Sequence, residues 1–368
     1  GEVLDEAGKY RMAEAKFKEA LSLVEGSKWA AEERNQPPEY VWHSADALVA
    51  SIHERLGSVL ARLGAYDAAL EHSDRAMRIL RELAAREVTD EDGWNAYRLA
   101  CGEESLGVVL YRMGRLAEGL DALEGSIVAK RKYLGGRCAE LGVGLMHVGN
   151  VLVSMNRHAE AVMTYDEART SILADEEEGH ELELLRLEEA VAYLAYVRGD
   201  LAEAAGTWKR VLQGKIDEVG EEHIECAGTL LNLASALSTV YDNITALQYL
   251  NTAYEILNLN LGPDNVRVAA VLNNMGAIHL NLGNYPQAVQ AVTSAIEAQE
   301  RVAGPADLTA SQMKASLALI IQESRDPKAI EKRRKAQEEG RRALREELQG
   351  QEGTSLPPPP PPPPQQRW

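Results

Sequence analysis

One pattern of small side chains recurs along this chain, and few folds tolerate it. Four stretches share it: LGSVLARLGAYDAAL from Leu56, LGVVLYRMGRLAEGL from Leu106, VGNVLVSMNRHAEAV from Val148 and MGAIHLNLGNYPQAV from Met275. Each has Gly in second place, Gly or Asn in ninth, and a small residue twelve after the first. Seven residues further on stand Ala76, Ser126, Ala168 and Ala295. Weaker copies begin at Val191 and Leu233, and a half copy opens the chain with Gly8, Tyr10, Ala13, Phe17 and Ala20. The leading small position falls at Gly1, Gly57, Gly107, Gly149, Ala192, Ala234 and Gly276, at intervals of 56, 50, 42, 43, 42 and 42. A fixed period of this length is the mark of a repeat array.

The spacing predicts two antiparallel helices per unit. Gly64, Gly114, Asn156, Gly199 and Gly283 end the first helix, where a left-handed residue is cheap for Gly and tolerable for Asn. The small positions let helix axes approach to roughly 8–10 Å. The expectation is an all-α, right-handed superhelical solenoid of antiparallel helix pairs. Residues 1–310 form about seven repeats, 311–348 a degenerate repeat with a charged capping helix, and 349–368 a polyproline tail. The longer early intervals place inserts near Lys28–Pro38 and Arg86–Asn95, with Gln36, Pro37 and Pro38 at an exposed turn.

These residues resemble tetratricopeptide repeats, and the 42-residue intervals resemble those of kinesin light chain. The connecting segments LGPDN (Leu261–Asn265) and VGEEH (Val219–His223) are similar to the linkers of that variety. The resemblance implies a non-enzymatic scaffold that holds other proteins, in the assembly or organisation of a larger complex. The alternative it implies is a transient cargo or peptide adaptor. Two features of those families are missing here: a motor-binding heptad coiled coil, and lysines at the positions that clamp a peptide carboxylate, where Glu54, Glu104, Met146, Glu189, Leu231 and Asn273 stand instead.

Charge narrows the partners. The chain carries −18; residues 325–368 hold ten Lys/Arg against seven Asp/Glu, or +3, so residues 1–324 carry −21. Such a surface repels phosphate backbones, which argues against nucleic acid and for other proteins as partners. No apolar run reaches the roughly 18–20 residues that cross a bilayer, so direct membrane insertion is not expected. Cys101, Cys138 and Cys226 lie far apart and without CxxC spacing, as reduced packing residues of an intracellular protein do. The cytoplasm is the expected compartment, cytoskeletal or ciliary sites included. An organelle interior after removal of a targeting segment is the alternative, because the sequence opens at Gly1 without an initiator Met.

In a solenoid of this kind the first helix of each pair lines the inner face. Counting from the small positions brings Glu104, Tyr111, Arg112, Asn150, Glu189, Tyr193, Tyr196 and Asn273 to it. Tyr and Asn combine hydrogen bonding with apolar contact, which suits a peptide; a solvated inner face with binding elsewhere is the alternative. The acidic run Asp175–Glu178 reads as a solvated loop or a docking point for a basic segment. The eight prolines Pro357–Pro364 form a polyproline II rod of about 25 Å. Such a rod is either a spacer or a ligand for SH3, WW or profilin-type domains, with Trp368 beyond it as a further anchor. No phosphate-binding loop, HExxH or GxSxG pattern occurs. The eight histidines are scattered, and nothing calls for a cofactor, a metal or an enzymatic activity.

Overall fold

The computed structural model describes residues 10–33, 39–86, 94–134, 138–175, 179–239, 242–305 and 307–350. Every regular element among them is a helix. The first eight are α1 (Tyr10–Glu33), α2 (Glu39–Leu63), α3 (Tyr66–Arg86), α4 (Trp94–Arg112), α5 (Leu116–Leu134), α6 (Ala139–Ser154), α7 (His158–Leu173) and α8 (Glu181–Arg198). The rest are α9 (Leu201–Val219), α10 (Ile224–Thr239), α11 (Asn243–Leu261), α12 (Val266–Asn281), α13 (Tyr285–Ala303), α14 (Leu308–Ser324) and α15 (Pro327–Gly350). Contacts divide the chain into two compact units, 1–194 and 195–368.

The helices pair as the small residues require. In unit one α2 packs on α3, α4 on α5 and α6 on α7; in unit two α10 packs on α11 and α12 on α13. The turn between partners is the same hydrogen-bonded cap each time. Ala65 N–H reaches Leu60 O at 2.9 Å and Gly64 N–H reaches Ala61 O at 3.2 Å. The same pair of bonds closes α4, α6, α8 and α12, at Gly114, Asn156, Gly199 and Gly283. This is the Schellman arrangement, which needs a left-handed residue at its corner. Asn156 fills that corner at φ 59°, the one non-glycine among the described residues with positive φ. All five expected terminators are therefore where the sequence puts them.

A second punctuation closes the second helix of each pair. Gly220, Gly262 and Gly304 recur every 42 residues with φ of 88°, 75° and 84° and ψ of 158°, 172° and 165°, a region open essentially to glycine alone. Three residues after each comes a polar side chain that caps the next helix. His223 Nδ1 accepts from Glu225 N–H at 3.3 Å, Asn265 Oδ1 from Arg267 N–H at 2.8 Å, and Asp307 Oδ2 from Ala310 N–H at 2.9 Å. The same glycine-and-cap punctuation at Gly304 and Asp307 stands just ahead of the segment read as a degenerate repeat.

Packing follows one register. The residue sixteen after each leading small position is buried: Ser73, Leu123, Tyr165, Trp208, Leu250 and Val292. Where the leading residue is glycine, the reason is steric. A Cβ on Gly149 would lie 2.3 Å from Tyr165 Cε1, and one on Gly276 would lie 2.4 Å from Val292 Cγ2. The half copy at the start behaves alike, with Tyr10, Ala13 and Phe17 buried. The insert expected near 28–38 begins as the last turns of α1; Gln36, Pro37 and Pro38 lie outside the described residues, as do 87–93. All three cysteines are free thiols.

At the far end α14 lays Met313 and Ile320 against Ala288, Val292, Ala295 and Ile296. Next, α15 is tied back by Arg333, which bonds the Glu323 carboxylate with two nitrogens and Asn281 Oδ1 at 3.3 Å. Tyr285 OH also donates to Glu323, at 2.9 Å.

Candidate functional site

The first helices α4, α6 and α8 bring three of the expected residues together in unit one. Tyr165 on α7 passes its ring over bare Gly149, so its hydroxyl emerges at the α6 surface and donates to Asn150 Oδ1 at 2.8 Å. Ser154, one turn along, donates to Asn150 O at 3.2 Å, and its hydroxyl lies 3.4 Å from that of Tyr111. Burial raises the Tyr165 pKa, and the neighbouring phenols of Tyr111 and Tyr193 raise it further. Three phenols, an amide and a hydroxyl thus share one patch. Tyr193 is 44% exposed there and Arg112 is exposed beside Tyr111. The patch offers flat aromatic area with fixed polar groups, which is what a peptide backbone needs.

The other expected residues are placed differently. Glu104 turns to Lys130, whose Nζ is 2.5 Å from Glu104 Oε2 and 2.6 Å from Glu140 Oε1. Lys130 is 2% exposed. Burial works against its charge, yet Glu104 and Glu140 between them hold its pKa above the ordinary lysine value. Tyr97 OH donates to Glu140 at 2.8 Å, and the Cys101 thiol lies 3.7 Å from the same carboxylate. Burial pushes that thiol up to about 11, away from reactivity. Glu104 therefore neutralises a buried lysine. Glu189 is half-buried on α8. In unit two the Tyr196 ring tilts against Trp208 at 5.6 Å, and Asn273 is half-buried on α12. Pro357, Pro364 and Trp368 lie outside the described residues.

Sequence reasoning missed Tyr165, Ser154 and the buried lysines. One signal was available: Lys130 and Glu140, like Lys215 and Glu225, stand ten residues apart across a linker. Lys215 is likewise buried, donating to Glu225 O at 3.1 Å and Thr229 Oγ1 at 3.2 Å. Asp175, read as loop, accepts from Ala139 N–H at 2.7 Å and so starts α6; Glu176, Glu177 and Glu178 lie outside the described residues. Among the described residues no three His, Cys, Asp or Glu side chains are grouped to hold a metal ion, and no helix is long and apolar enough to cross a membrane.

The helix-pair fold has counterparts among known proteins. The tetratricopeptide repeat family model matches residues 226–301. No curated protein sequence matches. Among solved structures, BtubC (BKLC) from P. vanneervenii is 19% identical with a TM-score of 0.50, over 66% of this chain and 94% of that one. NprR in complex with its cognate peptide NprX is 14% identical with a TM-score of 0.53, over 96% and 100%. The nearly identical TPR-like repeats of a Podosopora anserina kinesin-light-chain-type protein are 16% identical with a TM-score of 0.39, over 58% and 97%. Family match, repeated turn geometry and 42-residue register lead to one conclusion: the chain carries tetratricopeptide repeats.

Proposed function

We propose that this chain is a non-enzymatic scaffold that holds partner proteins, with the patch on α4, α6 and α8 as its principal binding face. The observation that carries the reading is the Tyr165–Asn150 hydrogen bond with Tyr111 and Tyr193 around it. It fixes polar groups on an aromatic surface, and Tyr193 beside them keeps 44% of its area in solvent. The NprR structure, of the same fold, holds a peptide, and that supports an extended segment as the ligand here. The strongly acidic body favours partners with basic surfaces.

The scaffold acts in assembling a larger complex, and its polyproline tail runs across or recruits a neighbour. A permanent subunit holds its partners through apolar area and keeps them as salt rises, whereas a transient adaptor of this charge releases them. The test is affinity purification of wild type and of a Tyr111→Ala, Tyr193→Ala double variant at two salt concentrations, with the recovered proteins identified by mass spectrometry. Loss of a defined set of partners from the variant supports the face. Identical recovery with both proteins removes it.

A further inference from the structure

A second surface lies within unit two. Leu212 and Ile216 of α9, Cys226 and Leu230 of α10, and Thr252, Ile256 and Leu259 of α11 enclose a crevice of about 120 Å³. The spacings i and i+4 on α9 and α10, and i, i+4 and i+7 on α11, each present one helical face to it. Its walls are apolar, and Leu259 at the rim is 72% exposed. The same rim carries Glu221, Glu222 and Glu255. Between Leu212 and Leu259 the sequence holds seven acidic residues and one cation, Lys215, which is buried and held by Glu225 and Thr229.

The next interval of the array shows what this rim lacks. Forty-two residues beyond Glu222 stands Asp264, and forty-two beyond Leu259 stands Arg301. Those two form an ion pair, Arg301 Nε to Asp264 Oδ1 at 2.6 Å. At the crevice a leucine occupies the arginine's place. The carboxylates of Glu221, Glu222 and Glu255 have no ion-pair partner among the described residues.

We propose that this crevice binds a partner segment that inserts a bulky aliphatic side chain between α9 and α11 and sets a flanking arginine on Glu222, as Arg301 sits on Asp264. The apolar walls supply area for the aliphatic group. The unpaired acidic rim excludes acidic segments and selects basic ones. The site is built from unit two alone and does not depend on the reading of the tyrosine patch.

Fluorescence anisotropy with the full chain tests the proposal. The probe is a fluorescein-labelled, amidated decapeptide with Arg-Leu-Leu-Arg at its centre and Gly-Ser flanks. Two control peptides replace its arginines by glutamate or its leucines by alanine. The wild-type chain binds the probe at least about tenfold more tightly than either control, the size expected for loss of an anchoring contact. Leu259→Arg places an internal arginine on Glu222 and abolishes binding, and Glu222→Lys weakens it by about tenfold or more. Leu259 is exposed, so the first variant keeps its fold, which circular dichroism verifies. Equal affinity for probe and controls, or unchanged binding by Leu259→Arg, overturns the proposal. Tyr111→Ala with Tyr193→Ala leaves probe binding intact, which separates this site from the principal face.

Discussion

At the residue scale the fold depends on what a glycine leaves room for. The Tyr165 ring occupies the space that a Cβ on Gly149 would need. Gly149→Ala is expected to cost about 1–3 kcal/mol by overpacking. Tyr165→Leu in the same background should recover part of that loss, a coupling of about 0.5–3 kcal/mol measurable by a double-mutant cycle in urea. Gly206, inside α9, meets nothing within 4 Å of a Cβ. Gly206→Ala should therefore stabilise by about 0.5–1 kcal/mol through helix propensity alone. The small positions were legible in the sequence because backbone approach admits only Gly, Ala or Ser. Their partners were not. The residue sixteen on varies from Ser73 to Trp208, so its chemistry shows only once the helices are packed, and Tyr165 was missed for that reason.

A second residue-scale consequence concerns His53, fully buried between α2 and α3. Its Nδ1 lies 2.7 Å from His72 Nδ1, and its Nε2 has no hydrogen-bond partner among the described residues. Burial, then the His72 and Arg75 charges, lower its pKa from 6.5 to about 4. Its neighbour His72 is in turn acted on by Glu71, Lys18, Arg75 and Glu14. A base depressed in the folded state is neutral in both states above 6.5, so its contribution is intact there. Stability is lost as pH falls from 6.5 towards 4, where the unfolded chain takes up the proton first. His53→Gln should flatten the stability profile over that window, as thermal melts at stepped pH will show. An unchanged slope would assign the acid sensitivity to other groups.

At the element scale, buried charge joins hairpins that apolar contact alone would leave less specific. Lys130 on α5 reaches Glu140 on α6 across a linker, and Glu104 on α4 completes the set. Lys130→Met should cost about 3–5 kcal/mol at neutral pH, because two carboxylates lose their counter-charge. Burial tends to raise the Glu140 pKa, but its bond to Lys130 wins and holds it below 4.5. Its stabilisation is therefore present above the ordinary carboxylate range and is lost as pH falls through the lowered value. The variant's deficit should shrink in acid as Glu140 is protonated, a trend that denaturant titrations at neutral and acidic pH will resolve. Lys130 escaped sequence reading because a lysine near a helix end is ordinarily solvated, and its neutralising acids lie on other helices. Helix termini were legible, since Gly64, Gly114, Asn156, Gly199 and Gly283 each meet a stereochemical demand that few residues satisfy. The end of the array behaves by the same logic. Cutting after Ala303 would strip Met313 and Ile320 from Val292 and Ile296 and should expose apolar surface to a dye such as ANS. Cutting after Asp326 leaves that contact covered, and the dye should stay dark.

Over the whole molecule, a period of about 42 residues organises the structure. Within each unit a hairpin packs on the next, so stability there is distributed among interfaces. Period and fold were readable from the chain. The crevice beside α11 was not, because it arises where one repeat has Leu259 and the next has Arg301, a difference with meaning only once Asp264 and Glu222 are seen at the same rim. Native-state hydrogen exchange read by mass spectrometry tests the nested-hairpin register most directly. Protection should peak within each helix of unit two and fall at Gly220, Gly262 and Gly304, 42 residues apart, with further minima at the hairpin turns Gly199 and Gly283. Protection running unbroken through Gly262, or minima that ignore the 42-residue interval, would contradict it.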